Sequence, residues 1–275
     1  MVFTIWHPFN MHLHSKLMCV LPCRPDNDYL VTQVVRDRDG HIVAENRPGT
    51  GRTFTGCAAV ILDYAAFCDA IAVAQCGVVE TQVRSASLLQ SEPVLYYMGA
   101  GALGSVVFNH PPVVNEGGRS YRYRGFSLHP TQDWVVESGL VVINVSTDPH
   151  FSRTASLMYE VCGRKGDRLS RDSIVIPPFG TRWVTVDRDQ AAPGDSLVTM
   201  FSESEGPALM SFVYTAARGG GFAIDHTFQP VSQKLYGEDM SSGLGHRYRR
   251  VRTRLVRALR YRMGRVDRQP FLRIP

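Results

Sequence analysis

The sequence predicts an all-β protein with two tandem immunoglobulin-like or fibronectin-like β-sandwich domains, followed by a basic amphipathic helix at the C-terminus. Apolar and polar residues alternate in short runs, as in Leu157, Tyr159 and Val161, and a period of two is typical of strands with one buried face. Gly, Pro and Asp residues separate these runs, a pattern that favours antiparallel sandwiches. The third observation is an internal repeat, which predicts that one β-rich unit is duplicated.

Four sequence features occur twice in the same order. They are His7-Pro8 and His129-Pro130; "YLVTQVVRDRDGHIVAE" and "ASLMYEVCGRKGDRLSR"; "RPGTGRTF" and "PPFGTRWV"; "SEPVLYYM…GSVVFNHPPV" and "EGPALMSFVYT…GGGFAIDHTFQPV". The first copy contains extra residues, roughly 64–75. The repeat predicts a first sandwich over residues 1–117, a second over residues 118–235, and a linker with an Arg-rich helix over residues 236–275.

Hairpins are predicted at corresponding places in the two copies. Asp39-Gly40 is a hairpin-turn dipeptide, because glycine accepts a positive φ at little cost. The last hairpin of each copy places His110 or His226 at a strand end, where the prolines that follow stop further pairing. Gly99, Gly101 and Gly104 have the spacing of a dinucleotide-binding loop, but Pro111 and Pro112 exclude the helix that such a loop requires. This segment is therefore interpreted as a glycine-rich hairpin loop.

Cysteine content and hydropathy predict a cytoplasmic location, with peripheral attachment to a membrane as a further option. Six unevenly spread cysteines do not form a disulfide framework and suggest buried thiols in a reducing compartment. The N-terminus lacks the features of a usual signal peptide. The most apolar window, residues 57–79, contains Asp63 and Asp69, so it is predicted to be buried protein and not a membrane helix.

Two histidines near the N-terminus are candidate metal ligands. His12 and His14 would share one face if their segment were a strand, and two imidazoles could then bind zinc or iron, with Cys19 or Cys23 adding a thiolate. No established ligand spacing surrounds them, so no metal, cofactor or catalytic residue is predicted. His110 and His226 occupy equivalent places in the repeat, and the sequence leaves open whether they form a site together.

The C-terminal segment is the most informative polar part of the chain. Eleven of the 30 basic residues and one of the 25 acidic residues lie between Leu244 and Pro275, which leaves 19 basic and 24 acidic residues elsewhere. Apolar residues at three- and four-residue steps predict one helical stripe with arginines around it. The residues predicted to bind a membrane or partner are Arg247, Arg249, Arg250, Arg252, Arg254, Leu255, Arg257, Leu259, Arg260 and Arg262.

These features predict a non-catalytic accessory or binding protein. Its basic helix would attach to an anionic membrane surface or an acidic partner protein, and the sandwiches could also present a surface to a glycan. The helix could instead pack on the second sandwich. A metal-dependent enzyme using the N-terminal histidines is the first alternative. Nucleic-acid binding through the arginines is the second, ranked lower because the rest of the chain lacks another basic patch.

Overall fold

The computed structural model describes residues 2–46, 51–87, 89–99, 103–107, 122–123, 127–128, 132–146, 148–163, 168–186, 196–202 and 209–226. These residues form mostly β-strands in antiparallel sheets with little helix, which confirms the all-β class. The first half contains β1 (Val2–Asn10), β2 (Lys16–Pro22), β3 (Tyr29–Asp37), β4 (Ile42–Asn46), β5 (Arg52–Phe54), β6 (Ala59–Leu62), a 3-10 turn (Ala65–Phe67), α1 (Cys68–Ala74), β7 (Cys76–Ser85), β8 (Val94–Met98) and β9 (Leu103–Val107).

Strands are the regular secondary structure in the described part of the second half. They are β10 (Arg122–Tyr123), β11 (Ser127–Leu128), β12 (Val135–Asn144), β13 (Ala155–Gly163), β14 (Arg168–Ile176), β15 (Thr181–Thr185), β16 (Ser196–Ser202), β17 (Leu209–Ala217) and β18 (Phe222–His226).

Both halves arrange their strands in the same order. In the first half, sheet I has the order β1-β7-β3-β4, with β5 also paired to β3, and sheet II has the order β6-β2-β8-β9. In the second half, sheet III has the order β10-β16-β13-β14, with β11 also paired to β16, and sheet IV has the order β15-β12-β17-β18. The four-strand order of each sheet in the first half therefore corresponds to that of a sheet in the second half, while the additional strands β5 and β11 pair at different places.

The hairpins predicted from the sequence are confirmed where the structure describes them. β3 and β4 are antiparallel neighbours, and Gly40 in their turn has a φ of 88°. β8 pairs with β9 and β17 pairs with β18, so the glycine-rich segments connect antiparallel strands. His226 is the last residue of β18, whereas His110 lies outside the described residues.

The helix α1 falls within the extra residues that the sequence comparison assigned to the first copy. The sequence predicted that residues 57–79 are buried, and this is wrong for part of the window. The helix α1 buries Ile71 but leaves Val73 81% exposed. A seven-residue helix against a sheet can cover only one of its own faces. Among the described residues, none belongs to a helix with the length and hydropathy needed to cross a bilayer.

Two buried apolar clusters organise the interior, and they divide sheet IV between them. One face of sheet IV, with Leu140 and Val142, belongs to a cluster shared with sheet III. The opposite face, with Val141, Ile143 and Phe212, belongs to the cluster that fills the first half. Successive side chains of a strand point to opposite faces, so β12 is buried on both sides. The halves are therefore joined by a shared apolar core.

Asn144 anchors a turn that follows β14. Its side chain is fully buried, and its Nδ2 donates to the carbonyl oxygens of Arg153, Ile176 and Pro177 at 2.8, 3.0 and 3.1 Å. Its backbone carbonyl accepts a hydrogen bond from Phe179 at 2.8 Å. The Asn-Val-Ser triplet at this position has the form of a glycosylation acceptor, but the amide is enclosed and fully used as a donor in the folded chain.

Candidate functional site

A cluster of histidine and tyrosine rings lies inside the first half. His7 is on β1, His14 is in the turn between β1 and β2, and Tyr97 is on β8. The ring of Tyr97 lies between the two imidazoles, with centroids 4.7 Å from His7 and 5.0 Å from His14, both in edge-on geometry. All three side chains are buried, at 0%, 2% and 0% exposure for His7, His14 and Tyr97.

Hydrogen bonds fix part of this cluster and leave several polar atoms without a partner. His7 Nδ1 lies 3.2 Å from the hydroxyl of Tyr64, and the backbone N–H of Asn10 donates to His14 Nε2 at 3.0 Å. His14 Nε2 is therefore assigned as the unprotonated nitrogen, so that Nδ1 carries the proton. His7 Nε2, His14 Nδ1 and the Tyr97 hydroxyl are buried without a protein partner. Buried polar groups of this kind are commonly satisfied by an internal water.

Burial keeps the whole cluster uncharged near neutral pH. It lowers the pKa of His14 from 6.5 to about 4, and it lowers the pKa of His7 well below 6.5, with a smaller contribution from neighbouring His14. It also raises the pKa of the Cys19 thiol to about 12 and the pKa of Tyr97 well above 10. A protonated thiol is a poor nucleophile, and both imidazoles are enclosed and shielded from solvent, so the arrangement favours packing and hydrogen bonding.

The cluster continues into the second half through aromatic contacts. Phe222, on β18, lies with its ring centroid 5.5 Å from that of His14 and 5.3 Å from that of Tyr97. It also stacks on Tyr214 at 6.3 Å, and Tyr214 meets Trp183 edge-on at 5.0 Å. One series of aromatic rings therefore crosses the junction between the halves.

A carboxylate lies at the far end of this aromatic series. Glu137 Oε1 accepts hydrogen bonds from the Tyr214 hydroxyl at 2.5 Å and from Thr185 Oγ1 at 2.9 Å. Burial raises the pKa of Tyr214, and the hydrogen bond to Glu137 raises it further. Tyr214 is thus a proton donor that stays protonated, and the two hydroxyls orient one carboxylate oxygen at the edge of the junction.

A second contact between the halves is formed by the β3–β4 turn. The Arg38 carbonyl accepts hydrogen bonds from the backbone of Thr181 at 2.9 Å and from the guanidinium of Arg182 at 2.6 Å. Arg182 also pairs with Asp39 at 2.9 Å. A Cβ added to Gly40 would come within 2.1 Å of the Pro178 carbonyl oxygen. The absence of a side chain at residue 40 therefore permits the close approach of the two turns.

Beside this turn, an arginine from the first half lies over an aromatic ring of the second. The Arg36 guanidinium carbon is 4.2 Å from the centroid of Phe179, in the geometry of a cation–π contact. Arg36 also forms an ion pair with Glu80 at 3.1 Å, and both side chains are largely buried. The junction thus contains an apolar centre, an aromatic series and a charged border.

The structure separates the two histidines that the sequence offered as metal ligands. Their segment forms a turn and not a strand, so the condition for placing them on one face is not met. His12 is exposed, while His14 is buried in the aromatic cluster. Within the described ranges, no group of three or more His, Cys, Asp or Glu residues is arranged to hold a metal ion.

The predicted binding residues of the C-terminal segment, Arg247 to Arg262, lie outside the described residues, as do His110 and the 1–117/118–235 boundary itself. The cluster around His7, Tyr64 and Tyr97 was missed by the sequence interpretation. A histidine in an apolar run, "TIWHPF", was its one local signal, because the convergence of rings from separate strands depends on the packing of the sheets.

Comparisons with known proteins identify no family. No family model and no curated protein matches the sequence. A protein assigned as a β-galactosidase from Bacteroides fragilis matches at 8% identity and a TM-score of 0.20, over 82% of this chain and 32% of that one. A β-glucuronidase from glycoside hydrolase family 2 matches at 10% identity and a TM-score of 0.21, over 81% of this chain and 23% of that one. The Bacteroides uniformis β-glucuronidase matches at 10% identity and a TM-score of 0.19, over 83% of this chain and 26% of that one. The chain thus spans about a third or less of each protein's length.

Proposed function

We propose that this chain is a non-catalytic accessory or binding protein, in which two duplicated immunoglobulin-like sandwiches form a rigid body and the Arg-rich C-terminal segment attaches that body to an anionic membrane surface. The distribution of charge carries the proposal. Eleven arginines and one acid lie between Leu244 and Pro275, while the rest of the chain has five more acidic than basic residues. Such a segment is attracted to anionic headgroups, and its apolar stripe can enter the acyl boundary.

Two structural observations support the rigid body. The same strand order in both halves is what duplication of one unit would produce. The apolar core shared between the first half and sheet IV, with the Arg182–Asp39 border, favours a fixed arrangement of the halves. A fixed body attached to a surface through its C-terminal segment suits a protein that presents a partner-binding or glycan-binding face.

An acidic protein partner is the second candidate, because the same arginines would bind clustered carboxylates. Nucleic acid is the third, and it predicts retention on duplex DNA that falls steeply with salt. The metal-dependent enzyme centred on His12 and His14 receives less support, since His14 Nε2 already accepts a backbone hydrogen bond and His12 is exposed.

Liposome flotation of the full chain tests the proposal. Vesicles of phosphatidylcholine alone would be compared with vesicles that also contain phosphatidylserine, at low and moderate salt. The test variant replaces Arg247, Arg249, Arg250, Arg252, Arg254, Arg257, Arg260 and Arg262 with glutamine, and a chain ending at Gly243 is compared as well. The control variant replaces the exposed body arginines Arg84, Arg153 and Arg218 with glutamine.

We expect the wild type and the control variant to float with anionic vesicles, and the test variant and the truncated chain to stay at the bottom of the gradient. Binding should weaken as salt rises, because screening shortens the range of the attraction. Equal flotation of wild type and test variant would exclude the arginines as the attachment. Absence of flotation for the wild type would exclude the membrane and leave the acidic protein or nucleic acid as the partner.

A further inference from the structure

We propose that the contact of His14 with Phe222 is an acid-sensitive latch, in which protonation of His14 releases the edge strand β18 from the first half while both sandwiches stay folded. This inference is independent of the proposed function. It rests on three observations: one buried imidazole lies at the junction, the groups around it supply no negative charge to balance an imidazolium, and the turn that carries the histidine is exposed.

Protonation would change His14 at the atom that now holds it in place. Nε2 accepts the N–H of Asn10 at 3.0 Å, and a proton added at Nε2 converts this acceptor into a donor that faces another donor. The imidazolium would also face the rings of Tyr97 and Phe222 in a site with 2% exposure. A buried charge without a counter-ion is strongly disfavoured.

The titratable groups around this site offer no compensating negative charge. In the first half they are His7 on β1, Cys19 on β2, Tyr64 and Tyr97, and burial keeps these side chains in their neutral forms. On the second-half side, Phe222 faces His14 and Tyr214 lies behind Phe222. Glu137 is the carboxylate reached next, and it already accepts hydrogen bonds from Tyr214 and Thr185.

The location of His14 in the chain lets it leave the core without unfolding a strand. It lies in the turn between β1 and β2, and its neighbours His12 and Ser15 are exposed. The imidazole can therefore reach water by a movement of the turn, which removes one of the rings that pack against Phe222. β18 is at the edge of sheet IV and is hydrogen-bonded only to β17 among the described strands. It also lies against β9 of the first half, but no ladder of paired residues joins these two described strands, so β18 is the element that can separate most easily.

The contacts elsewhere in the junction would hold the halves together. The backbone hydrogen bond from Thr181 to Arg38 does not titrate, and the buried face around Val141 and Phe212 is apolar. The release is therefore confined to β18, which is the last described element before the Arg-rich segment.

Hydrogen exchange measured by mass spectrometry on the full chain tests the latch, with rates corrected for the intrinsic pH dependence of exchange. With pKa values of 6.5 when released and about 4 when buried, protonation should favour release by about 70-fold between about pH 7.5 and about pH 4.5. Exchange in the His14 turn and in β18 should rise by that order, whereas exchange in β13 and β14 should stay constant.

Three variants separate the latch from general acid destabilisation. His14→Gln keeps an acceptor for the Asn10 N–H but cannot become charged, so it should lose the acid response. His12→Gln is the matched control two residues away on the same turn, and it should respond as the wild type does. Phe222→Ala removes the contact itself and should show fast exchange in β18 already at neutral pH.

The latch is overturned if His14→Gln responds to acid as the wild type does. It is also overturned if β18 in the wild type shows no increase down to about pH 4.5. If His14→Gln fails to fold, the pH dependence of exchange in the wild type is the test. An increase in β18 together with β13 and β14 would mean global unfolding and would also overturn the proposal.

Discussion

The two halves of the chain use the same strand order to enclose different interiors. The first half buries His7, His14, Glu80 and Thr81 among its apolar residues. In the second half, the apolar cluster between sheets III and IV is aliphatic. The buried polar side chains there, among the described residues, are hydroxyls and one amide that carry no charge: Ser138, Asn144, Ser146, Thr181 and Ser211. Strand order therefore does not determine the chemistry of the core. The polar interior of the first half lies close to the junction, where it contacts residues of the second half.

This difference predicts unequal responses of the halves to substitution and to acid. Aliphatic packing loses stability in proportion to the volume removed, and it is insensitive to pH. A buried polar cluster depends on hydrogen bonds and on the neutrality of its members. Substitutions at the turn contact, at a buried amide and at two tyrosines can test the comparison, from the largest expected effect to the smallest.

Gly40→Ala should give the largest loss, because it affects the contact between the turns of the two halves. Gly219→Ala is the matched control, since Gly219 has a similar φ of 83° but open space around its Cβ position, while Gly40 faces the Pro178 carbonyl. The control should lower the free energy of unfolding by about 1–2 kcal/mol, because alanine is strained in the left-handed region. Gly40→Ala should lower it by about 3–4 kcal/mol, because overpacking against the carbonyl adds to this strain. Urea unfolding measures both. Equal losses would mean that the turn contact contributes nothing.

Asn144→Ala should destabilise the second half, because it removes the buried donor that the carbonyl oxygens of Arg153, Ile176 and Pro177 share. Leaving buried groups unsatisfied costs about 1–3 kcal/mol, and we expect a loss near the upper end of this range. Asn27→Ala is the control, because Asn27 is only half-buried and its Nδ2 donates to the neighbouring Asp26 at 3.3 Å. Thermal unfolding followed by circular dichroism measures the difference, and a loss no greater than the control's would contradict the anchoring role.

Tyr97→Phe and Tyr214→Phe form the finest comparison. Tyr214 donates its hydroxyl to Glu137, so its removal should cost about 1–2 kcal/mol, as for hydrogen bonds to charged groups. The Tyr97 hydroxyl has no protein partner, so its removal should change the free energy of unfolding by less than about 0.5 kcal/mol. Denaturant unfolding distinguishes the two. A loss at Tyr97 as large as that at Tyr214 would indicate an internal water bound to the Tyr97 hydroxyl.

The all-β class and four hairpins, β3–β4, β8–β9, β13–β14 and β17–β18, could be predicted from the sequence because they depend on local patterns. Alternation in β3 and the Asp39-Gly40 turn are signals contained in a few neighbouring residues. The shared core between the first half and sheet IV could not be predicted in this way. Ser138–Asn144 is buried on both faces, and an apolar run of this length is compatible with several partners.

The candidate site was predicted less well than the fold. His14 was identified, but as a metal ligand beside His12, because the segment was treated as a strand. Asn10 instead organises a turn there, accepting the His12 N–H on its side chain at 3.1 Å and the Leu13 N–H on its carbonyl at 3.0 Å. The partners of His14 are Tyr97 and Phe222, more than 80 residues away in sequence, and no local pattern connects them.

Because both faces of β12 are buried, the two halves of the protein cannot be produced separately without exposing apolar surface. If the second half were produced alone, Val141, Ile143, Phe212 and Tyr214 would form one uncovered apolar face on sheet IV, and a large exposed patch of this kind promotes aggregation. The first half would lose the matching cover over part of its own core. The two halves, although similar in strand order, therefore form one indivisible unit for expression, and useful truncations should be sought outside residues 2–226.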